Sequence, residues 1–445
     1  MATPSAVPHA EKPDLTLLQI FNMSVGFFGI QHGFEIQFAR MSSIYEKLGA
    51  SPDQIPLLWL AAPATGLILQ PIIGYLSDKT WIPAWRMRRR PYFFAGAILG
   101  SLALFAMPSS SSLWMAAGLL WVLDASLNIT MEPFRAFVAD MQNSGQRPTG
   151  YAFQSMMIGL GTILGNYIAS LDLAALFPSF ATGGRTSMHL AFYACSTIFL
   201  ASVLFTVATT PEYPPDGGVP GPKGRGGLSA LGEWWRETSH CYKRMPPVMK
   251  RLAVIQFFTW MGLFCMWMFY SVAVPHNVFG ATDPHSDLYE KGVRFAALTT
   301  MVRGLATPLF ALAIPVLVRT LGRARTHAFA LACAGLSLFS VAFIHTPELL
   351  FLPMIGAGIG WASVVSMPYV ILVEHLPKSQ YGIFMGIFNM FIVIPEICVS
   401  LGLGGVIMSL LGDNRAYGVA FGGALILVAA VLTASLLGRY EPKAA

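Results

Sequence analysis

The residues of this sequence best suited to chemistry are ionisable side chains inside long apolar stretches, and Asp124 is the foremost of them. It lies in the apolar stretch 121–140, where charging a carboxylate at bilayer depth costs about 2.5–3.5 kcal/mol even on lenient scales. Asp124, Asn128 and Arg135 are spaced i, i+4 and i+11, which places them on one narrow face of a helix. Such a polar stripe must face protein or a water-filled cavity, so it predicts a functional acid, most commonly a proton carrier.

The composition predicts an all-α integral membrane protein around these residues. The chain has 445 residues, of which 55% are hydrophobic and 11% are charged, and its mean hydropathy is +0.59. Soluble domains are about 25% charged. A membrane helix needs about 20 apolar residues. The sequence predicts twelve transmembrane helices, at approximately 15–39, 55–77, 91–108, 112–135, 149–171, 187–209, 250–275, 293–319, 325–345, 348–373, 380–411 and 416–438.

The charge distribution predicts the orientation of these helices. If the spans alternate, most of the 28 Lys and Arg residues fall on one side, so the positive-inside rule places both termini in the cytoplasm. The net charge of +6 then reflects topology and not binding to nucleic acid. The N-terminal segment has no features of a removable signal peptide, and the short termini favour a bacterial inner (plasma) membrane. The five scattered cysteines indicate neither disulfides nor a metal site, and no cofactor beyond a coupling proton is expected.

A weak internal repeat favours two six-helix halves. A proline, an acidic turn and a glycine that leads the next helix occur twice, offset by about 235 residues: Pro133, Asp140 and Gly150 against Pro368, Glu374 and Gly382. A stretch rich in Pro and Gly between them is too flexible for a packed domain. The predicted organisation is an N-terminal six-helix bundle at 1–210, a cytoplasmic linker at 211–249 and a C-terminal six-helix bundle at 250–445.

The loop after the second span carries a glycine, an acid four residues on, and then a basic cluster. This pattern resembles the cytoplasmic loop signature of the major facilitator superfamily, in which the acid and the arginines latch two helices together. The alternative is a plain positive-inside anchor. On the first interpretation the predicted gating residues are Gly74, Asp78, Arg88, Arg89, Arg90, Arg135 and Asp140.

Other polar residues inside the spans could line a solute cavity. Gln31 and Glu35 share a face of span one, although helix–helix hydrogen bonds would explain them equally well. In span five, Gly161 and Gly165 have the spacing that lets another helix approach closely. Arg303 lies inside span eight, where an uncompensated cation is costly, so it needs a carboxylate partner or a polar ligand.

Five segments form a pattern that extends from span one to span eleven: GIQHGFEIQFA, PATGLILQPIIGYLSDKT with RRRPYF, LDASLNITMEPFRAFVAD, EKGVRFAALTTM and GIFMGIFNMFIVIPE. Together they resemble plant sucrose transporters and their animal and bacterial relatives. These proteins form a branch of the glycoside–pentoside–hexuronide family within the major facilitator superfamily. The resemblance implies the major facilitator fold of two six-helix halves.

The resemblance also implies proton-coupled transport of disaccharides, chiefly sucrose, maltose and related glucosides. Leu123-Asp124, Pro133, Arg135-Ala136 and Ala139-Asp140 match the family pattern in which the fourth-span aspartate binds the proton. Gly292-Val293-Arg294 matches a functionally important arginine near the start of the eighth span. Glu35 and Glu396 depart from the family pattern, and they are further candidates for proton coupling.

The predicted substrate-binding residues are Gln31, Asn128, Gln154, Arg294, Arg303, Trp260, Trp267, Trp361 and Asn389. The tryptophans either pack against neighbouring helices or stack on sugar rings. The leading hypothesis is a monomeric proton-coupled symporter that imports a disaccharide by rocking of its halves. A sodium-coupled sugar symporter and a proton-driven exporter of lipophilic compounds are the alternatives. No nucleophile–base pair, phosphate-binding loop or metal-ligand spacing indicates an enzyme.

Overall fold

A computed structural model describes residues 14–143, 145–213, 244–373, 375–376 and 381–438. Glu374 and most of the predicted linker lie outside these residues. The longer helices are α1 (Leu17–Lys47), α2 (Ala61–Lys79), α3 (Arg90–Ala106), α4 (Leu113–Met141), α5 (Arg147–Ser170), α6 (Ser187–Thr209), α7 (Pro247–Ala273), α8 (Asp287–Leu321), α9 (Arg323–Ser340), α10 (Phe351–Val364), α11 (Tyr381–Cys398) and α12 (Arg415–Leu437). Short helices extend three of them: Ile55–Leu58 precedes α2, Met367–Val373 follows α10 and Gly404–Leu410 follows α11.

The prediction of twelve membrane spans is matched only in part. In the described part of the chain, ten helices are long and apolar enough to cross a membrane. The two long helices outside this set are α1 and α5, with 31 and 24 residues. Both carry the polar side chains that the sequence places inside spans one and five, and these lower their hydropathy. The fold is all-α within the described residues, and the protein is a multi-pass membrane protein.

The helices pack in two groups. In the N-terminal group (α1–α6), α1 packs on α5 and α6, while α4 packs on α2 and α3. In the C-terminal group (α7–α12), α12 packs on α7 and α9, while α10 packs on α8 and α9. Contacts between the groups join α5 to α8, α1 to α7 and α2 to α11. The residues of the candidate site lie on these helices and on α4, which packs against α1.

Local sequence features set where these helices begin and how closely they approach. The Thr16 side chain and Gln19 form a reciprocal capping box at the start of α1, and Ser286 caps α8 through the backbone N–H of Tyr289. A Cβ at Gly161 would lie 2.7 Å from the Gln31 Cβ. This distance confirms the prediction that glycine in span five permits close approach of another helix, which is α1.

Candidate functional site

Asp124 lies completely buried on α4, facing α1. The Nε2–H of Gln37 donates a hydrogen bond to its Oδ1 atom at 2.9 Å. The Oδ2 atom has no hydrogen-bond partner among the described residues, and no ion pair of Asp124 occurs there. Glu396 of α11, which is 8% exposed, is close enough to Asp124 for their charges to interact. A buried carboxylate without a cation is unfavourable, so the surroundings of Asp124 favour its neutral form.

A chain of amides extends from Asp124 to the C-terminal group. The side chain of Asn128 donates to the backbone oxygen of Asp124 at 2.9 Å and to the Thr65 hydroxyl at 3.2 Å. Gln70 of α2 donates to the Asn128 Oδ1 at 2.8 Å. The Asn389 amide of α11 donates to Gln70 at 3.4 Å. Two of the predicted substrate-binding residues, Asn128 and Asn389, are thereby joined through Gln70, which was not predicted.

Glu35 is the centre of a second buried cluster between the two groups of helices. Gln31 donates to its Oε1 atom at 2.8 Å, and Asn166 of α5 donates to its Oε2 atom at 2.7 Å. Arg303 of α8 forms an ion pair with the same Oε2 atom at 3.3 Å, and both side chains are almost completely buried. Arg303 was expected to need a carboxylate partner or a polar ligand, and the structure provides the first of these, Glu35.

A small cavity lies beside this ion pair, at the interface of the two groups. Its lining includes Phe38, Asn166, Trp267, Tyr270, Thr300 and Arg303. The predicted residues Arg303 and Trp267 therefore share one cavity, whereas Asn128 and Asn389 do not line it. The lining combines apolar and aromatic side chains with a few polar groups, as is typical of sites for small molecules.

The three predicted tryptophans form one cluster next to the cavity. The Trp361 ring lies 5.9 Å from the Trp260 ring and 5.6 Å from the Trp267 ring, both at nearly right angles. Phe38 stacks on Trp267 at 5.0 Å, so α1 and α7 meet through flat aromatic surfaces. The indole nitrogens of Trp260 and Trp267 are buried without partners in the described part of the chain. Each indole N–H is a hydrogen-bond donor that no described residue satisfies.

Four of the predicted gating residues, Asp78, Arg88, Arg89 and Asp140, meet at one end of the bundle, which we call the arginine-loop end. Arg89 donates to Asp140 of α4 and to Asp78 of α2, the latter at 2.5 Å. Arg88 lies 3.6 Å from both acids. Burial opposes the charge of the Arg89 guanidinium, but the two carboxylates outweigh it and raise its pKa. All four residues belong to the N-terminal group, so they connect α2 and α4 within it.

Glu212 is a further residue of this end that was not predicted. Its carboxylate accepts hydrogen bonds from the backbone N–H groups of Arg88, Arg89 and Arg90, at 2.6, 2.7 and 3.2 Å. The helix α3 begins at Arg90, so a buried negative charge satisfies its first free N–H groups and its dipole. The only signal in the sequence is an acid directly after the sixth span.

Other predicted residues occupy the surroundings of these clusters. Arg135 is half exposed and lies 3.9 Å from Glu132 on its own helix, so the stripe from Asp124 runs from the interior to the surface. Gln154 is buried with its Oε1 atom unpartnered within the described residues. A Cβ at Gly74 would meet Glu132 at an ordinary 3.8 Å.

The opposite end of the bundle is closed by a network around Glu46, at the end of α1. Its Oε2 atom accepts from the Tyr289 hydroxyl at 2.6 Å and lies 2.8 Å from the His276 Nε2. Its Oε1 atom accepts from the Arg415 Nε–H at 2.8 Å. All three partners belong to the C-terminal group, so one carboxylate joins both groups.

Glu290 forms the second part of this closure, at the start of α8. It accepts from Arg40 and, at 2.9 Å, from Lys47, both of α1. Arg294, predicted to bind substrate, lies one turn further along α8 and pairs with Asp172 at 3.2 Å. The structure thus places Arg294 in the closure and not along the lining of the cavity.

These clusters contain no group of three or more His, Cys, Asp or Glu side chains that could hold a metal ion, as far as the described residues extend. Among the described residues, the other acids of these clusters bind cationic side chains, histidine, amides, hydroxyls or backbone N–H groups. The Asp124 carboxyl group accepts from the Gln37 amide alone, and Glu396 has neither a hydrogen bond nor an ion pair there. The arrangement can bind small polar molecules at the interface and hold a proton on a buried carboxyl group.

Comparisons with known proteins agree with this architecture. The chain is 23% identical to the sucrose transport protein SUT5 of Oryza sativa subsp. indica, covering 91% of this chain and 84% of that protein. It is 24% identical to a general alpha-glucoside permease of Schizosaccharomyces pombe, over 57% of this chain and 47% of that protein. These matches confirm the resemblance to sucrose transporters, and both relatives are named as transporters, not enzymes.

Solved structures agree on the fold. A bacterial homolog of the human lysosomal transporter Spinster, in an inward-facing and occupied conformation, superposes with a TM-score of 0.69 at 12% identity, covering 96% of this chain and 98% of that chain. At this identity the likeness concerns the fold alone. The sequence model of the Major Facilitator Superfamily matches residues 23–397. Because that match covers most of the sequence, this chain belongs to the Major Facilitator Superfamily.

Proposed function

We propose that this protein is a proton-coupled symporter that imports a disaccharide, such as sucrose, maltose or a related glucoside, with Asp124 as the proton-binding residue. The relatives named as sucrose transport proteins and an alpha-glucoside permease support the sugar. The observation that supports the proton role is the complete burial of Asp124. Among the described residues, one of its carboxylate oxygens has no hydrogen-bond partner, and the carboxylate has no cationic partner.

The contacts of the two acids on the α1–α4 side favour Asp124 over Glu35 as the proton carrier. Glu35 accepts from two amides and pairs with Arg303. A proton on Glu35 would leave that buried guanidinium without a counter-charge, which is strongly unfavourable. In the described part of the chain, the Asp124 carboxyl group accepts from one neutral donor and has no ion pair. It can therefore become neutral without leaving a cation unpaired.

Alternating access is supported by the position of the contacts between the two groups. Within the described residues, ion pairs between the groups lie at the Glu46 end and at the Arg303–Glu35 pair. The described ion pairs of the arginine-loop end stay within the N-terminal group. This is the arrangement of a carrier closed on one side, which rocking of the halves would reverse.

The proposal includes a finer topology. The helices α1 and α5 are long enough to span a membrane, and their polar faces contact other helices, so we count them with the ten apolar spans as a carrier of twelve helices in two halves. The arginine-loop end is then cytoplasmic under the positive-inside rule. A monomer in a bacterial inner membrane, without a cofactor, completes the proposal.

The test is uptake of labelled sucrose and maltose into vesicles with an imposed proton gradient. We expect accumulation above equilibrium with the wild type, and loss of accumulation with Asp124→Asn. The matched control is Asp287→Asn, which alters an exposed acid in the first turn of α8 and should leave accumulation unchanged. Accumulation by Asp124→Asn would refute the assigned role.

Two alternative outcomes would identify other functions. Dependence of uptake on sodium at fixed pH would favour the sodium-coupled symporter. Proton-driven efflux of lipophilic dyes without sugar uptake would favour the exporter. Coordination of sodium requires several clustered oxygen ligands. The Asp124 carboxyl group instead contacts one amide N–H donor, from Gln37, which argues against the sodium-coupled alternative.

A further inference from the structure

The contact between Asp124 and Gln37 leaves one atom of each group unused. The Gln37 Nε2–H donates to Asp124 Oδ1 at 2.9 Å. The Asp124 Oδ2 and the Gln37 Oε1 are both buried and have no hydrogen-bond partner among the described residues. Both are acceptors when Asp124 is ionised, and a buried acceptor without a donor costs about 1–3 kcal/mol. One further hydrogen between the Asp124 Oδ2 and the Gln37 Oε1 would therefore satisfy both atoms.

A proton on Asp124 would supply that hydrogen. A neutral carboxyl group has one O–H donor and retains an acceptor oxygen. A primary amide offers the complementary N–H donor and carbonyl acceptor, so the two planar groups can join by two hydrogen bonds in a ring. The observed N–H to Oδ1 bond is one of these two. An O–H on Oδ2 that donates to Oε1 is the other.

We infer that Gln37 is the positioning residue of the proton site, and that its amide holds the protonated Asp124 carboxyl by donating to Oδ1 and accepting from the proton on Oδ2. The inference rests on the proposed function. In the step itself, the Asp124 carboxylate takes one proton from a hydronium ion, which becomes water, and on release the neutral acid returns that proton to a water molecule. No electron is transferred.

The other groups around Asp124 leave this role to Gln37. Among the described residues, the ionisable groups near enough to Asp124 for electrostatic interaction are Tyr45 on α1 and Glu396 on α11. Tyr45 donates to the backbone oxygen of Leu58. Asn128, the polar neighbour on α4, binds the backbone oxygen of Asp124 and not its carboxyl group. Among the described residues, Gln37 alone hydrogen-bonds to the carboxyl oxygens.

The arrangement also couples the proton site to the substrate cavity. Gln37 lies two residues after Glu35 on α1, and Phe38, which lines the cavity and stacks on Trp267, follows directly. A small rotation or shift of α1 when a ligand enters would move Gln37 relative to α4. The affinity of Asp124 for its proton would then depend on the ligand, as coupling requires.

The test is infrared difference spectroscopy of the full-length protein in lipid, recorded between high and low pH. The carbonyl stretch of a protonated carboxyl group falls in frequency when it is hydrogen-bonded. We expect a wild-type band that disappears in Asp124→Asn. In Gln37→Met, which has a similar volume but neither donor nor strong acceptor, we expect this band at higher frequency. The matched control is Gln256→Met, another completely buried glutamine, on α7, which should leave the band unchanged.

The results distinguish the role of Gln37 from the proposed function. An Asp124 band at the wild-type frequency in Gln37→Met would overturn the role of Gln37 while leaving the proposed function intact. Absence of any wild-type Asp124 band across the pH range would overturn both, and the uptake experiment with Asp124→Asn tests the function independently. If Gln37→Met is not stable, Gln37→Asn retains an amide on a shorter stem. It should still shift the band upward, because the shortened side chain cannot make both bonds.

Discussion

Glu46 offers the sharpest test of how the two groups of helices are held together. Its carboxylate binds His276, Tyr289 and Arg415, and its side chain is 1% exposed. Glu46→Gln keeps the size of the side chain but removes the charge that the Arg415 guanidinium contacts. A hydrogen bond to a charged group contributes about 1.5–3 kcal/mol. The closed state should therefore lose about tenfold to a hundredfold in population relative to the open one.

The assay is labelling of a cysteine beneath the network by a membrane-impermeant maleimide applied from the Glu46 side. Ser271 is suitable because it lines the cavity near the end of α7, is buried, and has no hydrogen-bond partner for its hydroxyl in the described residues. In a background without native cysteines, Ser271→Cys should react slowly. Adding Glu46→Gln should raise the labelling rate by about tenfold to a hundredfold, as long as the open state remains less populated than the closed one.

The control is Glu348→Gln, which neutralises an exposed acid before α10 and should not change labelling. Equal amounts of folded protein in the membrane are verified for each variant before rates are compared. An unchanged labelling rate in Glu46→Gln would refute the view that this carboxylate holds the closed state.

Three further predictions concern stability. Gly161→Ala should lower the thermal unfolding temperature, because its Cβ would meet α1 at 2.7 Å, whereas Gly159→Ala meets nothing within 4 Å and should raise it slightly. Glu212→Gln should destabilise by about 1–3 kcal/mol in denaturant unfolding, since charge-assisted bonds to the start of α3 are lost. The Ser187 hydroxyl, and then Arg294, lower the pKa of Asp172. Wild type should thus be more stable than Asp172→Asn by a constant amount from about pH 5 to 8. This difference should decrease as the pH falls below about 4, through the lowered pKa of Asp172 in the folded state.

Some parts of the site follow from the free-energy cost of burying a single residue, and these parts were predictable from the sequence. An acid inside an apolar helix must be buried in protein, and Asp124 is. A cation such as Arg303 must find a counter-charge, and it does. Glycines at helical spacing must allow close approach, and Gly161 does. In each case the physical penalty belongs to one residue or one helix, so a single sequence displays it.

The parts that depend on which helices meet were not predictable. Glu46 and Arg415 are 369 positions apart, and each lies near a helix end, where a charge carries no penalty that would mark it. Nothing in the sequence distinguishes Gln37 from other polar residues, because its contact with Asp124 depends on the packing of α1 against α4. Arg294 was placed in the substrate site by resemblance, but α8 already begins at Asp287. That early start puts Arg294 in the second turn, near the end of the bundle.

The contacts between the two groups of helices differ in the free energy that is needed to separate them. This difference constrains how a substrate can act. At the Glu46 end the partners lie near helix ends, where water can replace them as the groups part. The Arg303–Glu35 pair lies in the interior, where a charge that loses its partner and finds no other is left uncompensated, which is strongly unfavourable. Rocking that separates α1 from α8 therefore needs replacement donors and acceptors at that depth. In the proposed transport cycle, a sugar bound beside this pair would bring hydroxyl groups that both donate and accept, and these would satisfy Arg303 and Glu35 together. An apolar ligand cannot, which is the physical reason for preferring a sugar carrier to an exporter of lipophilic compounds.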